Sequence, residues 1–166
     1  MYVHESIAGP KPEFYRQLHQ MLDGLLTGES DQLANMCNAA ALLGCQLPEI
    51  NWVGFYLHHG YGEDSQLTLG PFHGKPACTR IAVGAGVCGA AAARLKTVIV
   101  PDVHAFPGHI ACDGASRSEI VVPVFDAAGG LFAVLDIDSP ALARFDAADA
   151  VGLEAIAALL TRHIAG

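Results

Sequence analysis

The stretch EIVVPVFDAAGGLFAVLDID, residues 119–138, holds two β-branched and aromatic runs joined by a short, glycine-containing connection from Asp126 to Gly130. Such side chains fit a pleated, half-buried surface, and a connection of this length joins antiparallel neighbours. The reading is a hairpin with strands at 119–125 and 131–138. Working outward, Trp52 to Leu57, Gln66 to Leu69 and Thr97 to Val100 are further strand-like runs. Upstream, Phe14, Leu18, Met21, Leu22 and Leu25 recur at helical spacing until Gly28, which predicts a helix over 12–26 with Pro12 in its first turn. Ser30 or Asp31 can cap a second helix, whose apolar stripe includes Leu33, Met36, Ala40 and Leu43 and which ends around Gly44, before Pro48. From Asp146 the chain turns helical again, with Leu153, Ile156, Leu160 and Ile164 on one face. Two helices, a mostly antiparallel sheet and a closing helix make an α+β domain with helices layered on the sheet. With 166 residues and no repeat or low-complexity linker, residues 1–166 read as one domain.

Composition narrows the function classes. Nine Lys and Arg against 17 Asp and Glu give a formal charge of -8, which repels phosphate backbones and anionic lipid surfaces. No nucleic-acid partner is expected. The longest stretch without a charged or strongly polar side chain, Ile81 to Ala93, is too short and too rich in glycine to cross a bilayer as a helix. Residues 1–12 carry His4, Glu5 and Lys11 and have no apolar core ending in a small-residue cleavage site, so the expected location is cytoplasmic. In that reducing compartment five cysteines are not expected to form a structural disulfide framework.

The stretch from His73 to Ser118, dense in Gly, Cys, His and Pro, reads as long loops over one end of the sheet, where chemistry concentrates. It holds Cys78, Cys88 and Cys112, whereas Cys37 and Cys45 sit on or near the second helix and are expected to be buried small hydrophobes. Cys88 precedes Gly89 and an alanine run. It is either a thiol activated by a helix start or a packed small residue. Cys112 has His104 and His109 close in sequence to favour its thiolate, with Asp113 acting in the opposite sense. Zinc accepts Cys78, Cys88, His104, His109 and Cys112 as ligand types, but the set lacks the close C-x2-C or H-x3-H pairs of structural sites, so no metal is expected. Glu119 opens one strand of the hairpin, and Asp136 and Asp138 lie at i and i+2 near the end of the other, on a common face. Two carboxylates on one face of an apolar run suit a cleft that accepts a cation.

These residues resemble a known family, the free methionine-R-sulfoxide reductases, which are single domains of the GAF fold. The resemblance is carried by NWVGFYL at 51–57, LGPFHGKPACTRI at 69–81, GVCGAAA at 86–92, DVHAFPGHIACDGASRSEIVVPVF at 102–125 and VLDIDSP at 134–140. It implies a six-stranded antiparallel sheet flanked by helices, a homodimer, and reduction of the free amino acid with thioredoxin as electron donor and no bound cofactor. It marks Cys112 as the catalytic cysteine, Cys78 as its disulfide-forming partner and Cys88 as an auxiliary thiol. Glu119, Asp136 and Asp138 fall on the family's acidic substrate positions, and Trp52 and Tyr56 on its aromatic wall. Arg117 departs from the Ser-Asn-Ser-Glu expected at 116–119. A rival reading is a non-catalytic GAF module that binds a small ligand. A third is a redox sensor whose disulfide is itself the signal.

Overall fold

A computed structural model of the chain describes residues 6–109 and 113–164. Two helices come first, α1 (Lys11–Leu26) and α2 (Gln32–Gln46). The strands are β1 (Trp52–His59), β2 (Gln66–Gly74), β3 (Arg80–Ala82), β4 (Val98–Val100), β5 (Ser118–Phe125) and β6 (Leu131–Ser139). Helix α3 (Gly86–Arg94) lies between β3 and β4, and α4 (Ala147–Ile164) closes the chain. The strands form one sheet in the order β3-β2-β1-β6-β5-β4 with every neighbouring pair antiparallel.

Local chemistry sets the element ends. Pro12 stands in the first turn of α1, where a missing N–H costs nothing. Of the two cap candidates for α2, Asp31 is the one used: its Oδ1 accepts from the Ala34 N–H at 2.8 Å. The hairpin of β5 and β6 turns on Asp126, whose Oδ1 accepts from the N–H groups of Ala128 and Gly130, and Gly129 takes φ +84°.

Alternation along the strands gives the sheet two apolar faces. Val53 and Phe55 of β1, Ile120, Val122 and Val124 of β5, and Ala133, Leu135 and Ile137 of β6 pack under a layer formed by α1, α2 and α4. The intervening residues turn the other way, toward α3 and the connecting loops. Leu153, Ile156 and Leu160 of α4 are buried in the first layer as their spacing predicts; the Ile164 side chain lies outside the described residues.

Three expectations need correction. Residues 73–118 are not loops throughout, since β3, α3 and β4 fall within them, and they cover a face of the sheet rather than its end. β4 lies within the strand-like run read at Thr97 to Val100, whereas the three residues of β3 carry too little pattern to be read locally, and the glycine-flanked alanine run of α3 hides its helical period beyond the start. Leu33 is exposed, because the buried face of α2 is instead Asn35, Met36, Ala39, Ala40, Leu42, Leu43 and Gln46. Cys37 and Cys45 fall on the opposite face and are also exposed.

A buried charge cluster ties the helical layer together. The Asp149 side chain, at 1% exposure, accepts from Tyr15 Oη at 2.8 Å, Lys11 Nζ at 2.5 Å, Arg144 Nη1 at 3.2 Å and the Asp146 N–H at 2.9 Å. Removing one partner of a buried, hydrogen-bonded charge group costs about 3–5 kcal/mol, since the others keep their desolvation penalty. Asp149→Ala is accordingly expected to lower the unfolding free energy by roughly that amount. Denaturant titration measures it, and a loss below about 1 kcal/mol would make this an ordinary surface network.

Candidate active site

Strand register assembles the site. Trp52 of β1 pairs with Asp138 of β6, and Asp138 pairs with Glu119 of β5, so these three form one row across adjacent strands. In the next row on the same face Gly54 pairs with Asp136, and Asp136 with Val121. Tyr56 stands opposite Val134 in the row beyond. The missing side chain at Gly54 is what lets the row close: a Cβ there would collide with Phe72 and with the far edge of the Trp52 ring. Trp52 lies stacked between Phe72, with centroids 5.4 Å apart, and Tyr56, at 5.9 Å. Its Nε1 donates to the Lys75 carbonyl at 3.0 Å, which anchors the segment leading to Cys78.

Over this floor sits the start of α3, and the cavity between them measures about 30 Å³. Trp52, Tyr56, Cys88, Glu119, Asp136 and Asp138, all expected at the site, line it together. The side chains of His109, Asp113 and Ser116 complete the polar wall. Ser116 and Asp113 were not expected there, and their signal is one of geometry. Asn51 Nδ2 donates to Asp113 Oδ2 at 3.2 Å and to Ser116 Oγ at 3.0 Å, while Lys75 Nζ reaches Asp113 Oδ1 at 3.3 Å. This network joins the segment before Cys78 to the one after position 112. Arg117, the departure from the family motif, is exposed and takes part through its backbone, its N–H donating to the Ser139 carbonyl and its carbonyl accepting from Val103.

The electrostatics run against ionisation. Burial, followed by the charges of Asp136 and Asp138, pushes the Glu119 carboxyl well above its ordinary value. Burial and then Asp136 raise Asp138 from 3.8 to about 8. Burial raises Asp136 to about 6, and hydrogen bonds with Cys88 and Glu119 hold it below its neighbours. Among the described residues Asp136 Oδ1 has no hydrogen-bond partner. Three carboxyls on two adjacent strands thus share fewer than three charges near neutrality, because like charges in a dry site cannot all ionise.

This has a consequence for stability. A carboxyl that stays protonated in the folded chain after its unfolded counterpart has ionised makes the folded state bind more protons, so stability falls as pH rises between the two pKa values. With Asp136 at about 6 and Asp138 at about 8 against an ordinary 3.8, the decline spans that interval up to about pH 8. Denaturation midpoints measured across this range should fall with pH, and Asp138→Asn should flatten the upper part. A pH-independent midpoint would refute the buried, protonated state.

Among the described residues Cys37, Cys45 and Cys88 are free thiols, and Cys78 is disulfide-bonded. Cys112 lies outside the described residues. Cys88 resolves its two readings: it is buried within the first turn of α3, but burial and then Asp136 and Glu119 push its thiol well up, overriding the helix start. It stays a thiol and donates to Glu119 Oε1 at a sulfur-to-oxygen distance of 3.9 Å. Cys88 Sγ and one oxygen each from Glu119 and Asp136 lie within 4.8 Å of one another, a set that could hold a cation and that differs from the loop residues weighed for zinc. The protonated thiol suits a hydrogen-bond donor better than a thiolate ligand.

Residues 30–164 match the family model of the GAF domain. Over 155 residues the chain is 48% identical to the free methionine-R-sulfoxide reductase of Escherichia coli, covering 93% of this chain and 91% of that one. The chain belongs to the free methionine-R-sulfoxide reductase family of GAF domains. This GAF domain is also 43% identical to the free methionine-R-sulfoxide reductase of Saccharomyces cerevisiae, over 92% of this chain and 86% of the relative. The X-ray structure of free methionine-R-sulfoxide reductase from Neisseria meningitidis in complex with its substrate superposes on it with a TM-score of 0.90 at 43% identity, over 99% of this chain and 96% of the other. The expected α+β, six-stranded antiparallel GAF architecture is the one the domain adopts.

Proposed function

We propose that the chain reduces free methionine-R-sulfoxide to methionine, with Cys112 as nucleophile and Cys78 as the thiol that closes the disulfide. One observation carries the reading: Glu119, Asp136 and Asp138 converge with Trp52 and Tyr56 on a single cavity whose rim is tied to the segment of the disulfide-bonded Cys78. The reductases of Escherichia coli and Saccharomyces cerevisiae, alike over nearly the whole chain, support it.

The Cys112 thiolate attacks the sulfoxide sulfur while Glu119 protonates the oxide, because an unprotonated oxide is a poor leaving group. Oxygen passes to the cysteine, giving methionine and a sulfenic acid. The Cys78 thiol then displaces that oxygen as water and forms the S–S bond. The substrate sulfur has gained two electrons and the two cysteines have lost them. Thioredoxin re-reduces the disulfide, no bound cofactor is needed, and the protein works as a cytoplasmic homodimer, as the family resemblance implies.

Recognition of a free amino acid uses both of its charges. Its ammonium meets the ionised carboxylates, including the orphaned Asp136 Oδ1. Its carboxylate meets the first N–H groups of α3, where the cap residue Ala85 supplies no side-chain acceptor. A peptide-bound methionine lacks both charges. Trp52 and Tyr56 receive the S-methyl group. A space of about 30 Å³ holds water rather than an amino acid, so the segment between Gly74 (φ +141°) and Gly84 (φ +94°) moves aside once its disulfide is reduced.

Incubating the reduced protein with each diastereomer of free methionine sulfoxide, and with a sulfoxide-containing peptide, tests the assignment by methionine release. Turnover of the free R form alone is the expected result. Bound but unconverted ligand would favour a sensor module, and equal turnover of the peptide would remove the free amino acid as substrate.

A further inference from the structure

Each turnover consumes one proton at the acid that serves the oxide, and the site must take up another before the next. Glu119 is poorly placed to do this alone. It is 5% exposed, lies under α3 on the sheet face, and loses its path to solvent through the cavity whenever a substrate fills it. A second path starts at the cavity wall itself. His109 Nε2 stands 3.9 Å from Glu119 Oε2, with side-chain exposures of 14% and 7%, a gap that a single water or a small ring rotation closes. The His109 ring meets the exposed His104 edge-on at a centroid distance of 6.5 Å. The backbone on which both rings stand is held by local hydrogen bonds. The Asp102 side chain accepts from the His104 backbone N–H at 3.0 Å, and the His109 backbone N–H donates to the Phe106 carbonyl at 3.1 Å.

We infer that His109 is the proton relay that reloads Glu119 between turnovers, with His104 as its contact with solvent. The inference rests on the reductase reading and adds a residue to it. Imidazole suits the task because one nitrogen accepts as the other donates, with little movement. The step is a proton transfer alone: a proton arrives at one His109 nitrogen, another leaves Nε2 for the Glu119 carboxylate, and the oxide later carries it off as water. The groups facing His109 are His104 on its own segment, Glu119 from β5, Cys88 from α3, Asp136 and Asp138 from β6, and Asp113 across the cavity. Burial, with His104 beside it, lowers His109 below its ordinary value, so the ring gives up a proton readily. It acts through Glu119 and is not required to touch the sulfoxide.

The test uses the reduced full-length protein and its His109→Ala and His109→Gln variants, with free methionine-R-sulfoxide and dithiothreitol at concentrations that no longer limit the wild-type rate. In both variants the first methionine, made with the proton already on Glu119, should form at the wild-type rate. Later turnovers should slow by about 10-fold or more with KM unchanged, less than the roughly 100-fold or more lost with a positioned acid itself, since His109 acts through Glu119. Added imidazole should restore the rate of His109→Ala. Equal steady-state rates in wild type and both variants across mildly acidic to mildly alkaline pH would overturn the relay. So would a first turnover slowed as much as the later ones without rescue by imidazole, the mark of a structural role. A wild type that reduces no methionine sulfoxide removes the reductase reading, and the relay with it, whereas the variant results bear on the relay alone.

Discussion

Cys112→Ser is expected to abolish methionine formation and to release Cys78 as a free thiol. The first effect follows from sulfur chemistry. A serine hydroxyl stays protonated at neutral pH and has no counterpart to the sulfenic acid, so neither attack nor oxygen transfer has a route. The second follows from the cysteine inventory. Cys37, Cys45 and Cys88 are free and Cys78 is bonded, so oxidised wild-type protein, denatured without reductant, should give three titratable thiols. With its proposed partner gone, Cys78 should add a fourth even though the chain has lost a cysteine. Two thiols would mean that Cys78 pairs elsewhere, and retained turnover would remove the nucleophile. Cys78→Ser provides the contrast: one equivalent of methionine per protein, followed by failure to cycle on thioredoxin. Unimpaired cycling would pass the resolving role to Cys88, although burial and the flanking carboxyls hold that thiol protonated.

How much of this was legible before the structure depends on the range of the interaction. The hairpin, the common face of Asp136 and Asp138 and the apolar face of α4 are local, set by periods of 2 and 3.6, and the sequence spells them out. Burial of Cys37 and Cys45 was misjudged for a related reason. In an alanine-rich helix nearly every face reads as apolar, so composition does not say which side meets the sheet. The placement of Glu119 against Asp138 was not legible at all, because it depends on register, and the β5–β6 pairing shifts between Val124 and Phe125. The Asp149 cluster gathers Lys11 and Tyr15 from the far end of the chain. The sign of the Cys88 shift needed two carboxyls from other strands that the neighbouring sequence does not contain. The family motifs located the site residues in the chain, and the fold supplied the reason they act together.

Glu119→Gln is expected to lower kcat by roughly 100-fold to 10,000-fold, the range for loss of a positioned general acid, with KM changed only a few-fold. Glu119 is the carboxyl best suited to donate. It is pushed well above its ordinary value, its row places it beside Asp138, and the Cys88 thiol donates to its Oε1, leaving Oε2 toward His109. Glutamine keeps the size and one acceptor oxygen but has no proton of suitable acidity to give. Asp138→Asn should act differently. It removes charge from the wall that meets the ammonium, so KM should rise more than kcat falls. The three carboxyls titrate as a coupled set, so wild-type kcat should decline as pH rises through the set's upper value, and in Glu119→Gln that limb should flatten because the proton it reports is gone. A Glu119→Gln enzyme with wild-type kcat and an unchanged alkaline limb would move the acid to Asp138. If instead Asp138→Asn and Glu119→Gln each lowered kcat by the full factor, and their combination lowered it no further, the proton would belong to the pair, as the direct cross-strand pairing of the two residues allows.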